Sequence, residues 1–579
     1  MPLTRLALPF IAAGLLSQTS AAPLPPDTIY YNGHVVTMWS DRPEAEAVAI
    51  RGDRFIAAGS NAEIRKLAAP MTREVDLAGR TVLPGLQDSH THPIAAALSE
   101  QDRPVPVMNS IPDLLAHIRN LSDVTAPDGL IFVPKVYSTR MIERRYPDRY
   151  ELDKAAPRHA AMTDNGYASV LNSVALKRLG IGRDTPQPPN GKIIKDSKGE
   201  PTGLILGAPQ LLGTLRRAKP VTQDDMIWAL KAMQKKYNEA GLTSTIDRSQ
   251  GPEGFRAYQS LRRQNQLTVR STVTYLISGQ GTPDQVRQEM ERIPFVTGMG
   301  DEWFRVGAIK VVADGGILIG TAYLREPYGT HTAIYGYDDP EYRGVLSVPK
   351  ENLTEMARVA NRLGWQMTAH TTGGGATDAL LDAYEAANLD RPIADRRFTV
   401  THGNFPNAQA IERARRLGVA FDSQPAWLHL DGAAIKDVFG LERMRDFLPL
   451  KSMFDAGVIV AGGSDHMIRF DSRTAINPYS PFFGMWMAIT RKTRDGATLG
   501  PDQAVTREQA LRMWTLNGAW MTFEEGTKGS IEPGKLADMV VISKDYLRCP
   551  VDEIKDIEAL LTVVGGQVVY RANAFSIRQ

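Results

Sequence analysis

Leu83-Pro84-Gly85-Leu86-Gln87-Asp88-Ser89-His90-Thr91-His92-Pro93 is the stretch on which the rest of the chain turns. It runs from apolar to polar, and its two histidines stand two residues apart. On an extended backbone both imidazoles therefore project to the same side. Two imidazoles on one side of a strand end suit a metal ion, although a lone His-x-His pair also occurs on ordinary surfaces.

Working outward, three further segments end in the same way. His370 closes Trp365-Gln366-Met367-Thr368-Ala369-His370, His402 closes Phe398-Thr399-Val400-Thr401-His402, and Asp465 follows Val458-Ile459-Val460-Ala461-Gly462-Gly463-Ser464. Each is a short apolar run that stops on a polar residue before a helical pattern. Eight such runs are present: Thr81 to His90, Leu242 to Asp247, Val269 to Ile277, Val306 to Val312, Trp365 to His370, Phe398 to His402, Val419 to Gln424 and Val458 to Gly462. Helices fit between most of them, among them Gln223 to Ala240, Lys350 to Leu363 and Asn407 to Leu417. Eight strands close a parallel (β/α)8 barrel, and its active site lies at the strands' C-terminal ends. His90, His92, His370, His402 and Asp465 then converge on one mouth as a nitrogen and oxygen cage suited to Zn2+, with Mn2+ or Fe2+ as alternatives. Lys310 ends the fourth run. An ammonium in a dicationic site is repelled, so this lysine fits either as a carbamate bridging two metals or as the partner of Asp314 or Asp247.

The rhythm is interrupted once, by a segment spanning 94–222 with a strand of its own at Ile131 to Tyr137, expected to act as a cap facing substrate. The chain ends are β-rich. Thr28 to Thr37 turns at Asn32-Gly33 and Ala47 to Ile56 repeats the pattern, so both read as hairpins. Leu536 to Ile542 and Leu560 to Tyr570 resume it at the far end. The expected organisation is a leader over 1–22, a small β-sandwich shared by 23–80 and 526–579, the first barrel strand in 81–93, the cap, and the rest of the barrel over 223–525.

Composition narrows the function. With 67 Lys+Arg against 65 Asp+Glu there is no long-range field to gather nucleic acid or an anionic membrane. Cys549 is the single cysteine, so neither an internal disulfide nor a thiolate metal cage is available. Arg5, the apolar run Leu6 to Leu16 and the small residues Ser20-Ala21-Ala22 read as a signal peptide cleaved near Ala22 or Pro23, which makes the mature protein exported, periplasmic or secreted, with no membrane span.

Taken in order, Tyr31-Asn32-Gly33, Pro84-Gly85-x-x-Asp88-x-His90-x-His92-Pro93, Leu171-Asn172-Ser173, Lys310 to Gly315, His370, His402, Gly463-Ser464-Asp465 and Gly529 to Asp538 resemble the amidohydrolase superfamily. The branch is the YtcJ-like or amidohydrolase family 3 group, which includes N-substituted formamide deformylases. The resemblance implies one or two metals, with His90, His92 and Asp465 at the more buried one, His370 and His402 at the second, and carboxylated Lys310 between them. It implies hydrolysis of a non-peptide amide in a small molecule, and a homodimer is compatible with it. Asp465 is the expected proton carrier. Two positions depart from the branch: its Gly-His is Gly166-Tyr167 here, and its Gly-Trp is replaced around Tyr137-Ser138. Tyr137, Tyr167, Tyr323, Trp427 and His429 are accordingly the expected substrate contacts. Tyr328, Phe482, Phe483 and Trp486 join them as aromatics of the mouth that either meet an apolar substituent or pack the loops. His466, beside Asp465, reads as an exposed rim histidine. A non-catalytic regulatory or binding module and a metal-dependent esterase, lactonase or carbamate hydrolase are the competing readings.

Overall fold

The computed structural model describes residues 24–188, 191–213, 215, 220–573 and 575, so the leader, and with it the export reading, lies outside the described residues. Eight parallel strands follow one another in spatial order: Leu86–Thr91, Leu242–Gln250, Arg270–Leu276, Phe304–Val312, Met367–Thr371, Thr399–His402, Ala420–Ser423 and Val460–Gly462. Helices alternate with most of them because the sequence marks their ends. Gln223–Glu239 opens on a reciprocal Thr222/Asp225 capping box, while Ala408–Leu417 is capped by Asn407 and stops at Gly418.

The ring closes where the eighth strand's loop meets the first strand. Asp465 donates its backbone N–H to the His90 carbonyl at 2.8 Å, and His92 donates to the His466 carbonyl at 2.8 Å. Gly463 permits this approach, since a Cβ there would lie 2.8 Å from the His90 backbone nitrogen.

The strand read from Thr81 to His90 is broken at Gly85. Thr81–Pro84 belongs instead to a six-stranded sheet, between His34–Val36 and Met539–Ile542, and only Leu86–Thr91 enters the barrel. Pro84 removes a donor, and the Gly85 N–H is spent on the Asp538 carbonyl. The Asn32-Gly33 hairpin is likewise overturned. Thr28–Tyr31 pairs in a four-stranded sheet and His34–Val36 in the six-stranded one, so this turn carries the chain from one layer to the other. Ala47–Arg51 and Arg54–Gly59 do form a hairpin. Between the two layers lies an apolar cluster drawn from both chain ends, including Val48, Phe55, Val82, Met539 and Val563.

The insertion builds a five-stranded sheet in the order Lys192–Lys195, Pro201–Leu206, Ala168–Leu171, Ala160–Asp164, Leu130–Pro134. Asn172 is its knot. The side chain caps the helix Ser173–Arg178 through Ala175 N, also accepts from Ala161 N, and donates to the Ala156 and His159 carbonyls. The Asn-Ser motif is thereby accounted for by structure. Arg140 ties the insertion to the barrel through a forked contact with buried Asp431 at 2.8–3.1 Å.

Candidate metal centre

His90 and His92 leave the first barrel strand toward Asp465. Their Nε2 atoms lie 3.3 and 3.1 Å from Asp465 Oδ1, and one ligand atom from each of the three falls within 4.8 Å of the others. His402 stacks on His90 at 4.8 Å between ring centroids, and His370 meets His402 edge-on at 4.5 Å. The four imidazoles therefore form one continuous group. His90 is fully buried, whereas the side chains of His92 and His370 keep 17 % of their surface, so approach is from their side.

Three of the four imidazoles have their outward nitrogen fixed. His90 Nδ1 lies 3.0 Å from Asp422 Oδ2, His402 Nδ1 lies 2.6 Å from Gln424 Oε1, and His370 Nε2 lies 3.1 Å from the Gly315 carbonyl. Donation from those nitrogens leaves the other nitrogen of each ring with its lone pair. Burial, followed by the charge of Lys310, holds the His90 imidazole well below its ordinary value and His370 down to about 4. For His402 burial is again the largest cause, followed by His370 and His90. Neutral imidazoles with fixed tautomers are ligands ready for a metal. His90 Nε2 is buried without a hydrogen-bond partner, a costly arrangement unless a cation takes its lone pair. The donor set fits a divalent transition metal.

Lys310 is buried beside this group, and burial together with the Arg248 guanidinium pushes its amine down to about 8. Neither carboxylate considered for it in the sequence is its partner. Asp314 accepts from the backbone N–H groups of Tyr323, Thr372 and Gly373, and Asp247 accepts from Tyr258 Oη and Gln250 Nε2.

Asp422 was not singled out in the sequence, yet it organises the centre. It accepts from Ser89 Oγ and Gln424 Nε2, holds His90, and lies 3.0 Å from Arg248 Nε. Asp88 plays a similar part at the seam, accepting from His90 N and Ser464 N. Burial raises its carboxyl to about 7. Asn477 donates to both the backbone carbonyl and Oδ2 of Asp465.

The expected substrate contacts are dispersed. Trp427 stacks on His402 at 4.7 Å, and its buried Nε1 has no partner. Tyr167 hooks the insertion onto the loop after the fourth strand by donating to the Asp314 carbonyl. Tyr137 lies under the Arg140 guanidinium and, like His429, lines a cavity beside the mouth. Tyr323 is half-buried in the loop it anchors. Tyr328 packs among Tyr335, Tyr337, Tyr342 and Phe439, Phe482 is core, and Trp486 bonds Asp552. These three pack the fold. Phe483 shares His429's cavity. His466, expected at an exposed rim, is completely buried between Tyr237 Oη and the Arg469 carbonyl.

An eight-stranded parallel barrel with a histidine and aspartate cage at the C-terminal ends of its strands is the setting of a metal-dependent hydrolase. The profile of the amidohydrolase family matches residues 73–570, and the chain belongs to that family. The N-substituted formamide deformylase of Arthrobacter pascens is 29% identical to it over 94% of this chain and 98% of its own. YtcJ of Bacillus subtilis (strain 168) is 29% identical over 94% of this chain and 99% of its own. Among solved structures, an uncharacterized metal-dependent hydrolase from Pyrococcus horikoshii OT3 superposes with a TM-score of 0.67 at 22% identity, covering 91% of this chain and 99% of its own. The protein is a metal-dependent amidohydrolase, and the regulatory-module reading falls away.

Proposed function

We propose that the enzyme cleaves a non-peptide amide C–N bond, of the N-substituted amide or formamide type, with Asp465 as proton carrier. The observation behind this is the meeting of His90, His92 and Asp465 within 4.8 Å, with His370, His402 and Lys310 beside them. The similarity to a formamide deformylase supports the bond class. His90, His92 and Asp465 would hold one cation, His370 and His402 a second, with Zn2+ first among the candidates. A cation bound there supplies Lewis acidity, lowering the pKa of water toward about 7 and polarising the carbonyl under attack.

The protein's own groups do the rest. Asp465, oriented by Asn477, accepts the proton of the attacking water and returns it to the departing amine nitrogen, a general base and then a general acid. Asp422 and Gln424 keep His90 and His402 in the ligating tautomer. Lys310 would complete the site as a carbamate, formed when its amine, lowered by burial and Arg248 to about 8, attacks CO2, making an N–C bond and releasing one proton. Export after cleavage near Ala22 completes the proposal.

The test is metal analysis of purified protein, followed by turnover of matched N-substituted amides, esters and lactones, with intact mass of the Lys310 peptide. Amide hydrolysis that disappears on chelation and returns with Zn2+ is expected. Ester or lactone turnover without amide turnover would overturn the bond assignment, and a single metal with unmodified Lys310 would remove the bridge.

A further inference from the structure

Beside the metal centre, between the insertion and the loop that follows the eighth barrel strand, lies a cavity of about 300 Å3. Its wall is unusual in charge. Lys135, Arg140, Arg469, Arg473 and Arg494 all line it, and no aspartate or glutamate does. The rest of the wall is largely apolar, with Met108, Tyr137, Leu430 and Phe483 among it.

Not all of this charge is free. Arg140 is consumed by Asp431, and Arg473 leans on Asp556 at 3.6 Å. The Arg494 guanidinium donates to the amide oxygen of Asn109, at 2.6 Å. Arg469 spends its two terminal nitrogens on the carbonyls of Thr474 and Pro106, and its buried Nε has no partner. No carboxylate reaches ion-pair distance of Lys135, Arg469 or Arg494 among the described residues. Burial lowers the pKa of all three, so the fold holds these charges against a desolvation cost. Lys135 and Arg469 also sit in the left-handed backbone region, at φ 58 and 81. Neither residue type favours it, and such strain gathers where a side chain must be aimed.

The cavity adjoins the metal centre through Asn477, which donates to Asp465 and accepts from Arg140, a residue of the cavity wall. Lys135 lines the cavity, and its ammonium feels the carboxylates of Asp465 and Asp164. We propose that the cavity seats a carboxylate carried on an apolar stem of the amide substrate, with Lys135, Arg469 and Arg494 as its counter-charges. This rests on the amide reading above and sharpens it: the substrate class becomes N-acylated amino acids with an apolar side chain, rather than neutral N-substituted amides. Three cations without a carboxylate at ion-pair distance, set around one small volume, give charge-assisted hydrogen bonds, and apolar walls accept the stem.

Two measurements test it, each on the metal-loaded protein. Calorimetry compares 3-phenylpropanoate with 3-phenylpropan-1-ol, and kinetics compares N-formyl-phenylalanine with N-formyl-2-phenylethylamine, which lacks only the carboxylate. The acid of each pair is expected to be favoured by about 10-fold or more, in affinity and in KM. Lys135→Met and Arg494→Met are each expected to remove most of that preference. Arg494 is exposed, so its variant carries the test if Lys135→Met fails to fold. Equal binding of acid and alcohol overturns the proposal, as does a preference for the acid that survives both substitutions, the result expected if the carboxylate sat on the metal. A carboxylate preference that depends on these residues without hydrolysis of either formamide would leave the anion site standing and remove the amide reading. Hydrolysis of both formamides at like rates would do the reverse.

Discussion

Asp465 occupies a left-handed backbone position, φ 57, while its N–H closes the barrel seam and its carboxylate faces His90 and His92. Asparagine tolerates that backbone as aspartate does, so Asp465→Asn keeps the seam and an oxygen toward the metal but removes the base. Turnover is expected to fall by about 10²-fold to 10⁴-fold with most metal retained. Near-parental rates in the metal-replete variant would send the proton by another route. Its neighbour His466 sets a pH dependence. Burial pushes this imidazole down to about 3, against about 6.5 in the unfolded chain. Above the unfolded value both states are neutral. As pH falls below it the unfolded chain takes the proton first, so the stability that neutral His466 contributes drains away until the folded value is reached. The destabilisation caused by His466→Gln is therefore expected to be greatest at pH 7.5 and to shrink below pH ~6.5, by up to about 1.4 kcal/mol per unit. Urea midpoints of both proteins at pH 7.5, 6 and 5 read this directly, and a difference that stayed constant would show that the imidazole is not sealed.

Among the polar contacts that hold the insertion to the barrel is the fork from Arg140 to buried Asp431, which also accepts from Thr139 Oγ1. Truncating Arg140 leaves the buried Asp431 carboxylate with only the Thr139 hydroxyl against it, a cost of up to about 3–5 kcal/mol. Arg140→Met is accordingly expected to lower the unfolding midpoint and to open the insertion to limited proteolysis, and adding Asp431→Leu should recover much of the loss. A single variant as resistant as the parent would place the anchor elsewhere, with Tyr167 the next contact to remove. Elements of this kind were only partly legible in the sequence. Barrel strands and helices announced themselves through periodicity and caps, as Thr222 and Asn407 illustrate. The centre's first ring of residues did so too, because each closes an apolar run. Asp422 did not, although it stands as a carboxylate inside such a run, two residues before Gln424. What marks it is its partners, Ser89 and Arg248, which lie far away along the chain. His466 was misjudged for the same reason: its sealing hydroxyl comes from Tyr237, 229 residues away. The Asn32-Gly33 turn misled because local turn chemistry does not say which sheet receives the next strand.

Across the whole molecule, the barrel and the sandwich are joined by a buried ion pair of Arg270 with Asp538, at 2.7 and 3.0 Å, and Asp538 also receives the Gly565 N–H. The segment Gly529 to Asp538, legible as a motif, is thus the hinge-pin between the two units. Thr81–Pro84 lies in its sheet with Met539–Ile542 on one side, and the first barrel strand meets its last neighbour through Ser464, Asp465 and His466. Both partnerships join opposite ends of the polypeptide. During synthesis each of these early strands leaves the ribosome with one edge lacking its mate, which arrives only with Val460–Gly462 for the barrel strand and with Met539–Ile542 for the sandwich strand. The nascent chain consequently carries open strand edges over long stretches of its translation, surfaces of the kind chaperones recognise, and the cage cannot be completed before Asp465 is made nor the six-stranded sheet before Gln567–Arg571 is.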